Sequence, residues 1–276
     1  PVRYSGRHVH NHRPAAHVFI GAYTAVGAYD TRTDVATRTS GTKPDATAEA
    51  AINSLKKHGW TISNFEKGGV VDGNFFKLDT QYLLAKKSEG GENVYVVAFE
   101  VGIQDIGLEG SDFDIRPVKF LSTGTYVHCG FLQYTMPAFH NATLKSVLTK
   151  VKNDANSMLI LAGHSLGGAA ALVYGAMAIE SGVPKGPVNI VTIGQLAVGQ
   201  TGFESCYTSA FNRYVRLGDI IVVSTTAANY RQFSTKIQAA DFQSWIRECR
   251  TRLSWSDSIP TITLGFSSGS WLVSRK

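Results

Sequence analysis

The sequence predicts an α/β fold, a central, mostly parallel sheet with helices on both faces, and three observations carry that prediction. Residues 158–162 are wholly apolar, as in a parallel strand buried on both sides. The next five residues, Gly163-His164-Ser165-Leu166-Gly167, place glycines where a strand would turn abruptly into a helix. Beyond them Leu166, Ala169, Ala170, Val173 and Met177 share one face at helical spacing. The chain has 276 residues, 43% of them hydrophobic and 11% aromatic. A chain of this size buries roughly three-quarters of the surface it would expose unfolded. Disorder, collagen and coiled coil are excluded. Residues 1–276 are expected to form a single domain, with 1–16 a loose N-terminal segment.

In chain order, the opening segment alternates His8, His10 and His12. Three imidazoles at that spacing chelate a transition metal when extended, but a solvated tail suits them better, and no metal or cofactor is expected. From Pro44 the pattern turns helical. Asp45 is placed to cap the start, Ala48, Ala51, Ile52 and Leu55 fall on one face, and Gly59 ends it. Short apolar runs at 60–65, 82–86 and 94–100 read as strands, with 89–93 turn-like between the last two. After Thr143, the spacing of Leu144, Val147, Leu148 and Val151 predicts a second helix, leading into the strand at 158–162.

Charge and cysteine content narrow the function classes. The net charge is +6, yet no basic run exceeds two residues, so an anionic lipid surface suits the chain and no nucleic-acid partner is expected. No segment approaches the roughly 20 apolar residues of a membrane-spanning helix. Cys129, Cys206 and Cys249 include no CxxC pair, so no zinc site is signalled and at most one disulfide can form. The chain opens at Pro1 rather than Met, which suggests a removed export signal and a secreted or exported protein.

The chemistry centres on Ser165. A serine on a tight strand-to-helix turn projects its hydroxyl outward, and glycines at 163 and 167 allow the flanking backbone to approach closely. The helix beyond it aims free N–H groups and a partial positive charge at the site, so the Leu166 N–H is placed to hold a tetrahedral oxyanion. Asp219 follows a predicted strand at 213–217 beyond the turn, where the acid of a Ser, Asp, His chain order belongs.

Gly163-His164-Ser165-Leu166-Gly167-Gly168-Ala169 resembles the nucleophile elbow of the fungal-type (class 3) triacylglycerol lipases, which have the α/β-hydrolase fold. Val127-His128-Cys129-Gly130-Phe131 resembles that family's V-H-x-G-F stretch. Thr192-Ile193-Gly194-Gln195 with Val198-Gly199 resembles its T-F-G-x-P-R-V-G, and Leu217-Gly218-Asp219-Ile220-Ile221 its N-D-I-V segment, with Tyr230 where an aromatic usually follows. The match spans residues 94–233, about half the chain. The resemblance implies a serine carboxylic-ester hydrolase, of lipase or phospholipase A type, with Ser165 as nucleophile and Asp219 orienting the catalytic histidine. It implies a second oxyanion donor after the strand ending at Phe99, here the Gly102 N–H, and an apolar lid over residues 103–113.

Two departures stand out. The family's R-G-S is here Glu100-Val101-Gly102, which lacks the side-chain hydroxyl and puts a carboxylate near a developing negative charge. No histidine occurs after His164. By the family's spacing the base would fall near residues 270–276, so four readings stand open. The chain stops short of its histidine or has lost it by substitution; His128 serves instead; the protein is naturally inactive but still binds lipid; or the site is unconventional, with a base from a partner chain. His140 and His164 read as structural. Two functions therefore compete: an ester hydrolase acting on acyl glycerolipids at a lipid or membrane surface, and a catalytically silent lipase-fold protein that binds lipid or a protein partner such as an inhibitor or immunity protein. Asn141-Ala142-Thr143 is a glycosylation sequon only in a secreted eukaryotic protein.

Overall fold

The computed structural model describes residues 46–67, 80–99, 114–121, 123–185, 187–203, 207, 211–215, 236–238, 263–267 and 270–274. Helix α1 (Ala46–Lys57) buries Ala51, Ile52 and Leu55, three of the four residues of the stripe its spacing predicts. Gly59, at φ +82°, closes it: its N–H donates to the Lys56 carbonyl and that of Trp60 to the Leu55 carbonyl, both at 3.0 Å. These two bonds form a Schellman cap, for which only glycine takes the left-handed turn at no steric cost. The Asp45 cap lies outside the described residues.

Strands β1 (Thr61–Lys67), β2 (Gln81–Glu89) and β3 (Glu92–Phe99) follow as an antiparallel meander. The turn expected over 89–93 is only two residues long. Gly90 and Gly91 both have positive φ, 62° and 85°, which permits the tight turn that matches strand twist, and pairing resumes at once with Glu89 opposite Glu92. Strands β4 (Pro117–Lys119) and β5 (Tyr126–His128) make a separate hairpin, then come helices α2 (Cys129–His140) and α3 (Ala142–Asn153). Strand β6 (Ser157–His164), helix α4 (Leu166–Glu180), and strands β7 (Val188–Ile193), β8 (Phe211–Val215) and β9 (Lys236–Gln238) complete the main sheet, while β10 (Thr263–Ser267) and β11 (Ser270–Ser274) pair with each other.

The seven-stranded sheet has the order β1-β2-β3-β6-β7-β8-β9. From β3 to β9 every neighbour is parallel, and only the β1–β2 and β2–β3 pairs are antiparallel. The expected α/β fold with a mostly parallel sheet is therefore present. On one face Tyr95, Val97, Phe99, Leu159, Leu161 and Ile190 pack into a single cluster with α2, α3 and α4. Alternate residues Val96, Ala98, Ile160 and Ala162 point to the other face and are equally buried, which is why β6 reads as an unbroken apolar run. Each large aliphatic side chain so buried contributes about 1.5–3 kcal/mol relative to exposure.

Helix α4 is buried around its whole circumference from Leu166 to Ala178. Its small residues set its distance from the sheet: a Cβ at Gly175 would overlap the Ile190 side chain and come within 3.0 Å of Leu161 Cδ1. Helix α2 was not read from the sequence, because Gly130 and an internal Pro137 interrupt its pattern. Helix α3 begins one residue earlier than Thr143. Asn141 is its N-cap, and its side-chain oxygen accepts from the N–H groups of Thr143 at 2.8 Å and Leu144 at 3.2 Å. Substituting Asn141 with Ala should lower stability by about 1 kcal/mol, and Ser should recover most of it, measured as the shift in urea midpoint.

Candidate active site

Ser165 links β6 to α4 with φ 51° and ψ −119°, a conformation that L-residues rarely occupy. Among the described residues only Leu121 and Ser165 combine a side chain with positive φ. Three contacts hold the turn. The Ser165 N–H donates to the Ile193 carbonyl at the end of β7 (2.9 Å), and its carbonyl accepts the first bond of α4 from the Ala169 N–H (3.1 Å). The third is backbone against backbone. A Cβ at Gly163 would collide with the Gly167 carbonyl and lie 2.6 Å from the Gly168 nitrogen, and one at Gly168 would lie 3.1 Å from the Gly163 carbonyl oxygen and 3.3 Å from Gln195 Cβ. The crowding anticipated around the motif thus falls on Gly163 and Gly168.

Because the first intrahelical bond belongs to Ala169, the N–H groups of Leu166, Gly167 and Gly168 lie ahead of the ladder. They concentrate the helix's partial positive charge beside Ser165, as an oxyanion requires. Ser165 and Leu166 are both buried, so a charge formed there would meet these dipoles largely away from water.

The remaining predicted site residues, Gly102 and Asp219, lie outside the described residues, as do Glu100 and the 103–113 segment. The strands leading to them are described. Phe99, the last residue of β3, is in register with Gly163, so the chain toward Gly102 departs beside the elbow. Strand β8 runs parallel to β7 and ends at Val215, so the chain toward Asp219 leaves the sheet at the same edge as β6 and β7.

The two buried histidines of this region are packed as neutral rings. His128 ends β5, donates its backbone N–H to the Val198 carbonyl (2.9 Å) and lies flat on Phe131 with ring centroids 3.9 Å apart. Burial pulls its pKa down to about 4, against a smaller opposing pull from Asp114. His164, buried at the end of β6, is likewise pushed down to about 4 by burial. Cys129 is a free, buried thiol, and burial, reinforced by Asp114, pushes it up to about 11; it stays protonated and is no nucleophile.

The ion pair beside it was missed from sequence. Arg116 donates to Asp114 through Nε at 2.7 Å and through a terminal nitrogen at 2.5 Å, a two-pronged bond that holds the Asp114 carboxyl well below the usual carboxylate range. The backbone carbonyls of Asp114 and Arg116 also accept the first N–H groups of α2, from Gly130 at 3.1 Å and Cys129 at 3.0 Å. The chain that follows residue 113 is thereby fastened to the start of α2. A carboxylate and an arginine two residues apart were the only signal of this in the sequence.

Comparison with known proteins agrees with this geometry. Residues 103–228 match the sequence profile of the lipase (class 3) family. Toxin TseL of Vibrio cholerae is 32% identical over 150 residues, which cover 52% of this chain and 22% of the toxin, so the chain spans only about a fifth of that relative. Among solved structures, the lipase of Rhizopus microsporus var. chinensis superposes with a TM-score of 0.61 at 20% identity, covering 82% of this chain and 75% of that one. The Rhizomucor miehei triacylglyceride lipase gives 0.59 at 20% identity, covering 85% and 82%. At such identities the structures establish the shared fold.

Two outcomes follow from the geometry. Gly163→Ala should cost more than about 1 kcal/mol, because the clash is with backbone that cannot turn aside, and should abolish any reactivity of Ser165; urea denaturation and active-site labelling test the two halves. His128 and His164 hold protons more weakly folded than unfolded, so the unfolded state binds more protons as the pH falls from the ordinary histidine value of 6.5 toward 4. Stability should therefore drop across that window, and His164→Asn should flatten the fall in thermal midpoint.

Proposed function

We propose, from the match of residues 103–228 to the class 3 lipase family, that this chain is a serine carboxylic-ester hydrolase of the lipase or phospholipase A type, acting on acyl glycerolipids. The observation that carries this reading is the backbone of Ser165, held at φ 51° and ψ −119° between β6 and the N-terminus of α4. A serine with a purely structural role has no need of that conformation or of the glycine contacts that enforce it.

In this mechanism the Ser165 oxygen bonds to the ester carbonyl carbon as its proton passes to a general base. The carbonyl oxygen takes the negative charge and is held by the N–H groups of Leu166 and Gly102. Collapse breaks the ester C–O bond, the alcohol leaves with the proton from the base, and water then repeats the sequence to free the fatty acid. Asp219 orients the base. In the family pattern that base is an imidazole, and all eight histidines of residues 1–276 lie at or before His164; burial leaves His128, the candidate among them, a weak base.

That no histidine follows His164 favours a second reading, a catalytically silent lipase-fold protein that binds lipid or a protein partner. The altered Glu100-Val101-Gly102 segment adds to it. The net charge of +6 favours anionic phospholipid over neutral triacylglycerol as the surface engaged. Likeness to a toxin supports an exported protein whose partner is a neutralising inhibitor or immunity protein.

A fluorophosphonate probe separates the two readings. An active hydrolase should be labelled at Ser165, with no labelling of Ser165→Ala, and should release fatty acid from phosphatidylcholine–phosphatidylglycerol vesicles. A folded protein that takes up no probe at any pH would leave the silent reading in place.

A further inference from the structure

Among the described residues the exposed large hydrophobic side chains are Ile115, Leu121 and Tyr126, at 51%, 50% and 44% exposure, and all three fall on or beside one hairpin, β4–β5. From this clustering and the charge within it, we propose that the β4–β5 hairpin is an interfacial anchor that seats the chain on an anionic lipid surface. The proposal rests on the lipid-acting reading for its occupant, but not on catalysis.

The apolar side chains are presented by a rigid mount. Phe120, at the base of the turn, is wholly buried and packs edge-on against Phe203 at 5.3 Å and Tyr207 at 6.4 Å. Its N–H donates to the Thr125 carbonyl at 2.7 Å, and its carbonyl accepts from both the Thr123 N–H and hydroxyl. The Thr123 and Thr125 hydroxyls bond each other at 2.6 Å. At the tip, Leu121 is held at φ 44°, a position that favours glycine or asparagine. A leucine kept there and half exposed costs backbone strain and gains nothing from the core, which makes an external partner its reason.

Chemistry within the patch selects the partner. Lys119 is exposed and stands directly opposite Tyr126 in the β4–β5 register. Lysine is depleted from the centres of protein–protein contacts, whereas tyrosine and lysine together suit the headgroup layer, the ring at the boundary and the ammonium reaching lipid phosphate. The hairpin is also bound to the segment that follows β7. Val127 bridges to Gly199, and the Gln200 N–H donates to the Tyr126 carbonyl at 2.9 Å, so β5 is tied to the segment that leaves β7 just beyond the Ser165 contact at Ile193.

Vesicle binding tests this with the Ser165→Ala chain, in which hydrolysis cannot obscure association. That chain should co-sediment with phosphatidylcholine–phosphatidylglycerol vesicles, and Leu121→Asp and Ile115→Asp should each weaken binding at least about tenfold. Lys119→Glu should weaken binding to the anionic vesicles but not to pure phosphatidylcholine. Leu121→Trp, which preserves an apolar tip, should show quenching by brominated phospholipid beyond that of the four native tryptophans. Hairpin variants that bind vesicles as the parent does, or a parent that binds none, would overturn the proposal, as would loss of self-association or of inhibitor binding with vesicle binding unchanged. Probe labelling of Leu121→Asp with Ser165 intact keeps the two readings apart. Labelling without vesicle binding supports both anchor and hydrolase, and vesicle binding by the parent without labelling supports the anchor on a silent protein.

Discussion

The approach of the Gly163 backbone to Gly167 and Gly168, too close to admit a Cβ at 163, is the constraint from which the site and its surroundings follow. It turns a buried strand into a buried helix within a single residue, and Ser165 has no other backbone to adopt. Because α4 must then lie directly on β6 and β7, its sheet-facing positions have to be small, as Gly168 and Gly175 are. Because the helix starts at once, its first amides have no ladder partner and remain available to charge. One steric condition thus fixes the backbone of Ser165, the unpaired amides at the start of α4 and the depth of the helix.

Around that turn the sheet register does the positioning. The in-register pair Phe99 and Gly163 brings the chain leaving β3 alongside the elbow, while the parallel β6, β7 and β8 deliver their ends to a common edge. Parallel neighbours in an open α/β sheet create a crevice where their C-terminal ends meet, and reactive loops gather there. The backbone carbonyls of Asp114 and Arg116 fasten the start of α2. His128, which ends β5, stacks on Phe131 as an uncharged ring.

Much of this was legible in the sequence, for identifiable reasons. The elbow could be read because its glycines, apolar strand and small-residue helix are consecutive, so one local pattern carries the whole constraint. Helix α1 could be read because its apolar stripe ends at a glycine. Helix α2 could not, because its partners are distant in sequence and Pro137 and Gly130 argue locally against it. The Gly90-Gly91 turn was blurred because strand pairing continues right up to it, and polar ends of strands resemble loops. The mounting of Leu121 was invisible for a different reason: an exposed leucine reads as ordinary until the bonds and the buried Phe120 beneath it are seen. Asp219 rests on its motif and on β8, whereas Gly102 rests on its position after β3 alone, because its segment departs from the family's.

The pairing of β3 with β6 also bears on how the molecule is made. Residues 99 and 163 are neighbours in the finished sheet, yet the hairpin and two helices intervene in the chain, so this pair closes a long loop before its hydrogen bonds return anything. Contacts of such large sequence separation slow folding, since the entropy of closure is lost first. The β2–β3 hairpin, joined by two glycines, needs no such closure. The Ser165 N–H bond to Ile193 ties the elbow to β7, so the turn is complete only with the parallel β6–β7 pair in place. The positive-φ turn at Ser165 is therefore expected to form after the glycine-joined β2–β3 hairpin.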